Sequence, residues 1–242
     1  MSEVVIDDRF QGPVRHGNGG YVAGLLAASL GGAAAVRLRR MTPTGTPLRM
    51  EQDGAGIGLF DGDTLLVHAE EGAPQLDIPD PVDVGLVEEA MPRSPALTDR
   101  HAAPACFGCG PDRPAGQGLR IFAGPIEGTQ LSGAVWTAPP DLIDGKGRTP
   151  VEVVWAALDC PGGWALAVAG VLGPGQFPAL IHQTGELRAP VRPGEQLVSL
   201  AWPLPSDPAR PEAGTAVYGP DGDVRAVAHL VHAVMDPNWA KG

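Results

Sequence analysis

The chain has 242 residues, of which 43% are hydrophobic and 19% charged, the balance of a globular protein rather than a disordered one. Its formal net charge of -11 excludes a general attraction to nucleic acid or to an anionic membrane, so an anionic ligand would need a local site. Three cysteines (Cys106, Cys109, Cys160) are too few, and odd in number, for a secreted disulfide framework.

The N-terminal MSEVVIDDRF has neither the basic region nor the apolar core of a signal peptide, which gives the expectation of a soluble, cytoplasmic protein. Residues 3–10 read as a short strand. After RHGNGG, the run 21–36 (YVAGLLAASLGGAAAV) is apolar on nearly all sides and predicts a buried helix, too short and too rich in glycine to span a bilayer. Three strand candidates follow, AVRLRRM, PLRMEQ and TLLVHAEE, separated by PTGT and by Asp61-Gly62-Asp63. Residues 73–103 carry scattered prolines and no sustained period, and read as a surface linker. Beyond it, GLRIFAG and TQLSGAVW read as strands. Residues 148–172 read as an apolar helix broken at Pro161-Gly162-Gly163. Four more strands close the chain: ALIHQTGELRAPV, EQLVSLAWPL, GTAVYG and DVRAVAHLVHAVM, the last pair joined by a turn at Pro220-Asp221-Gly222. Both halves, 1–72 and 104–242, follow one plan of an apolar helix and then a meander, a weak internal repeat.

This plan, with the strings RHGNGGYVAGLLAASL, CFGCGPDRPAGQGLRI and VVWAALDCPGGWA, resembles the hot-dog fold thioesterases. The fusion of two halves resembles the acyl-CoA thioesterase II type. The resemblance touches most of the chain. It implies an α+β double hot-dog, with two antiparallel sheets each wrapping a long central helix. It implies a thioesterase of lipid metabolism acting on an acyl-CoA or acyl-carrier-protein thioester, with no cofactor and no nucleic-acid or membrane partner; self-association is left open.

Thioester hydrolysis needs a donor for the developing oxyanion and a group that activates water or attacks directly. Unpaired N–H groups at a glycine-led helix start suit the first task, and a carboxylate in a dry site suits the second. The first helix begins with Gly19 and Gly20 but carries Ala27 and Ala28 where the family places its carboxylate. The second carries Asp159 but begins with Val151 and Glu152. The resemblance places the site between halves, so Gly19, Gly20 and Asp159 make one composite site and the mirror position is dead. His16 is a candidate ligand contact or an orienter of Asn18, itself a candidate N-cap. Tyr21, Trp155 and Trp164 are candidate groove residues, although aromatics at helical positions are more often core. By comparison with the thioesterase II type, Gln183 or Thr184 would help hold the water. His229 and His232 are odd-spaced on a strand and face opposite ways.

Each feature also has a plainer reading. The glycines suit a cap, and Asp159 suits the N-cap of a helix piece starting at Pro161. A non-catalytic acyl-CoA or lipid binder is therefore the alternative function. A hydratase would need an Asp–His pair that neither helix supplies. Cys106-Phe-Gly-Cys109 has no second ligand pair in sequence and reads as a turn, with no metal expected. Neither a GxSxG elbow nor a phosphate loop is present.

Overall fold

The computed structural model describes residues 2–98, 101–173 and 175–236. Among these described residues, eleven strands form one antiparallel sheet in the order β1-β3-β4-β5-β2-β8-β11-β10-β9-β7-β6. In chain order they are β1 (Ser2–Val5), β2 (Ala33–Leu38), β3 (Pro47–Asp53), β4 (Gly56–Asp61), β5 (Thr64–Glu71), β6 (Gly124–Pro125), β7 (Ser132–Thr137), β8 (Phe177–Leu187), β9 (Gln196–Leu204), β10 (Glu212–Tyr218) and β11 (Val224–Met235). The helices are α1 (Gly19–Ser29), α2 (Val84–Ala90) and α3 (Val151–Val168). The expected pair of sheets is thus a single one, because β2 hydrogen-bonds to β8 from Ala33↔Glu186 to Arg37↔His182.

That seam makes the internal repeat visible. β2 is the first strand after α1 and pairs with β5, the last of its meander; β8 is the first after α3 and pairs with β11, the last of its own. The two helices pack on each other, and Leu26, Trp155, Leu158 and Leu166 are fully buried between them and the sheet. By length and composition α3 could cross a membrane, but most of it is enclosed by the rest of the protein.

Local sequence explains where elements begin and end, including five departures from expectation. The apolar run 21–36 is not one helix: Gly31 (φ 81°) and Gly32 (φ 105°) take the left-handed conformations that end α1 and turn the chain into β2. β4 lies inside a stretch without a clear strand signal, since Gly54, Gly56 and Gly58 dilute its apolar pattern. GLRIFAG contributes only the start of β6; Leu119 and Ile121 instead donate to the carbonyls of Phe107 and Gly108. The helix predicted to break at Pro161 runs through it. Gly162 and Gly163 remain helical, and a Cβ there would lie 2.4 Å from Leu230 Cδ1 and 2.8 Å from Pro178 Cγ. These two glycines let the helix lie close to the neighbouring strands. Residues 73–103 include α2, whose buried Val87 and Ala90 join a second apolar cluster with Leu200, Trp202 and Tyr218.

Candidate functional site

The two helices meet head against middle. Asn18 caps α1, its Oδ1 accepting from the Tyr21 N–H at 2.9 Å. Gly20 sits directly against α3: a Cβ would lie 2.5 Å from Trp155 O and 2.6 Å from Asp159 Cβ. One turn on, a Cβ at Gly24 would lie 2.4 Å from Glu152 Cα. This i, i+4 pair of glycines brings Asp159 to the head of α1. There Asp159 Oδ2 accepts from the Gly20 N–H at 2.9 Å and from Asn18 Nδ2 at 3.1 Å. Both bonds end on one oxygen. Asp159 Oδ1 accepts none among the described residues.

Asp159 is 9% exposed. Burial raises its pKa from 3.8 to about 7 and the nearby Cys106 adds to the rise, against the opposing pull of the Gly20 and Asn18 donors. The carboxyl therefore titrates near neutrality, in the range suited to a general base. It lies on a cavity of about 290 Å³, with Asn18, Gly19, His101, Trp164 and His232 among the lining residues. Arg39 and Arg40, both exposed, line it as well. Buried His232 is held neutral: desolvation lowers its pKa to about 4, with a smaller contribution from His229 and opposition from the Pro211 backbone.

The structure brings Asn18, Gly19, Gly20 and Asp159 together, with His16 and Trp164 on the same cavity, whereas Tyr21, Trp155, Gln183 and Thr184 do not line it. Gly20 is a correction in role: its N–H is taken by Asp159, and its missing side chain admits α3 rather than a ligand. Gly19, the first residue of α1, lines the cavity and has no intrahelical partner for its N–H. His16 lines the cavity too, but its Nδ1 donates to the Val14 carbonyl at 2.8 Å rather than to Asn18. Tyr21 and Trp155 are core residues: Tyr21 stacks on Phe10 with ring centroids 4.1 Å apart, and Trp155 is fully buried with its ring against Gly185. Gln183 is buried beneath α3, where its Nε2 donates to Trp155 O at 3.3 Å; Thr184, its neighbour on β8, points to the other face. Neither borders the cavity. His229 bonds Glu212 at 2.6 Å, away from His232. Asp159 is no N-cap, since α3 is continuous around it.

Sequence reasoning missed His101 and Cys160 as neighbours of this place. Cys106, Cys109 and Cys160 all line the cavity, and their sulfurs lie within 4.8 Å of one another. At the mirror position α1 offers Ala27 and Ala28 and no carboxylate.

No family model and no curated protein matches the sequence. Solved structures do. A provisionally named thioesterase from Novosphingobium aromaticivorans DSM 12444 superposes with a TM-score of 0.60 at 12% identity, over 96% of this chain and 94% of that one. A provisionally named thioesterase II from Thermobifida fusca YX gives 0.60 at 14% identity, over 96% and 91%. A hot dog fold protein of unknown function from Alicyclobacillus acidocaldarius gives 0.59 at 10% identity, over 97% and 93%. Likeness at such low identity is a likeness of fold: the chain has the hot-dog fold of these structures.

Proposed function

We propose that the chain hydrolyses an acyl thioester, of coenzyme A or of an acyl carrier protein, at one composite site built by its two halves, 1–72 and 104–242, joined by 73–103. The observation that carries this reading is the contact of Asp159, from the middle of α3, with the head of α1, on the wall of a cavity. In the proposed reaction Asp159 Oδ1 takes a proton from water as the oxygen attacks the thioester carbonyl. The Gly19 N–H donates to the carbonyl oxygen as it becomes an oxyanion. Collapse of the tetrahedral intermediate breaks the C–S bond, and the proton held by Asp159 passes to the leaving thiolate. Arg39 and Arg40 supply local positive charge, in a chain of net charge -11, for a phosphate-bearing carrier.

A non-catalytic acyl-thioester binder is the second reading. It is favoured by the engagement of the Gly20 N–H with Asp159 and by the absence of Gln183 and Thr184 from the cavity lining, which leave fewer groups to hold a water and an oxyanion. A panel of acyl-CoAs and acylated carrier proteins separates the two. Hydrolysis predicts thiol release with at least one of them, and binding without thiol release supports the second reading.

A further inference from the structure

We propose that Cys106, Cys109 and Cys160 form a zinc site whose fourth position opens to the cavity. The three sulfurs come from two places far apart in sequence. Cys106 and Cys109 lie on one tight turn, in which the Gly110 N–H donates to the Cys106 carbonyl at 2.9 Å. Cys160 comes from α3. Cys106 and Cys160 Sγ lie 3.8 Å apart, and all three sulfurs are within 4.8 Å of one another. Zinc–sulfur bonds of about 2.3 Å in a tetrahedron put sulfurs about 3.8 Å apart, so a zinc ion fits with little movement.

The glycines of the turn serve this convergence. A Cβ at Gly108 would lie 2.6 Å from Cys160 Sγ, and one at Gly110 would lie 2.5 Å from both Cys106 N and Pro104 O. Any side chain at Gly108 would push the third sulfur away. Donors surround the cluster as they surround metal-bound thiolates. Asn18 Nδ2 is 3.7 Å from both Cys106 Sγ and Cys160 Sγ, and His101 Nε2 is 3.3 Å from Cys109 Sγ. His101 is not the fourth ligand. The Ala103 N–H donates to its Nδ1 at 3.1 Å, so the ring proton sits on Nε2 and points at sulfur. With three protein ligands, zinc would keep one position for water or for a soft ligand such as a thiol. A disulfide between Cys106 and Cys160 would use two of the sulfurs and leave the third without a role.

The test reads metal, not turnover, so its failure is distinct from failure of the thioesterase reading. The full chain is purified under reductant without chelator, then assayed for zinc and titrated with cobalt. The expected result is one zinc per chain, and with cobalt the absorption of a tetrahedral thiolate site. Cys109→Ala and Cys160→Ala should each lose the bound metal. Gly108→Ala keeps every thiol and should weaken binding by about 10- to 100-fold, as disturbed ligand placement does. Since cysteine variants can fail to fold, the cobalt titration of the unaltered chain decides the matter. A folded, fully reduced chain that takes up neither metal overturns the proposal. So does zinc that persists when all three cysteines are alanine, or a Cys106–Cys160 disulfide in protein prepared without oxygen.

Discussion

Asp159 and His232 share one cavity and respond to burial in opposite directions, which makes them separable by experiment. Asp159→Asn keeps size and can still accept from the Gly20 N–H, so it should fold. Loss of a general base typically costs about 10²–10⁴ in rate. Thiol release by the variant within about tenfold of the unaltered chain would remove Asp159 from the chemistry. His232 is a matter of stability. Its folded pKa of about 4 lies below the ordinary value of 6.5, so between those values the unfolded chain binds a proton that the folded chain does not. Its contribution is fully present above pH 6.5 and falls away toward pH 4, a loss of about 3 kcal/mol. Melting temperature should therefore drop across that window, and His232→Asn should flatten the drop. Parallel acid losses in both proteins would show that other groups are responsible. At this scale the pairing of Asp159 with the head of α1 was legible, because each helix lacks what the other has. The places of Gln183 and Thr184 were not legible, since residue type does not show that it is the 177–181 end of β8 that borders the cavity. The three-sulfur cluster was hidden because 50 residues lie between Cys109 and Cys160.

Among the elements, the contact between α1 and α3 controls the geometry of the site, and glycines control the contact. Gly20→Ala and Gly24→Ala each force a methyl into α3 and should destabilise the protein by about 1–3 kcal/mol, read as a lower melting temperature. Gly19→Ala differs. Its methyl would meet Leu180 Cδ2 at 3.1 Å, the end of a side chain that can move, and Asp159 Oδ2 at 3.3 Å. It should fold nearly normally while turnover falls, because the substituent crowds the carboxylate beside the donor N–H. Equal melting losses at Gly19 and Gly20 would contradict this division. The elements themselves were legible where apolar runs or alternation are strong, as in α3, β5 and β8 to β11. They were obscured by glycine: β4 is diluted by it, and Gly31 and Gly32 end α1 where the apolar run continues. Pro161 misled for another reason. Burial against the strands holds α3 together at a residue that removes one helical donor.

At the scale of the whole molecule, the β2–β8 seam joins two similar halves that are unlike in what they contribute. The repeat was legible as a pattern, but the single continuous sheet was not, because a seam between halves leaves no local signal in either strand. Under the proposed function, the asymmetry of the helices predicts one active site per chain: α1 would supply Asn18 and Gly19 and α3 would supply Asp159, while the mirror position holds Ala27 and Ala28. Calorimetric titration with a non-hydrolysable acyl-CoA analogue should give one site per chain, and two equivalent sites would refute the asymmetry. The most direct measurement is a crystal structure with that analogue bound. One molecule per chain is expected, its acyl carbonyl oxygen within hydrogen-bond reach of the Gly19 N–H and its carbonyl carbon facing Asp159. An analogue bound away from both residues, or bound equally at Ala27 and Ala28, would contradict it.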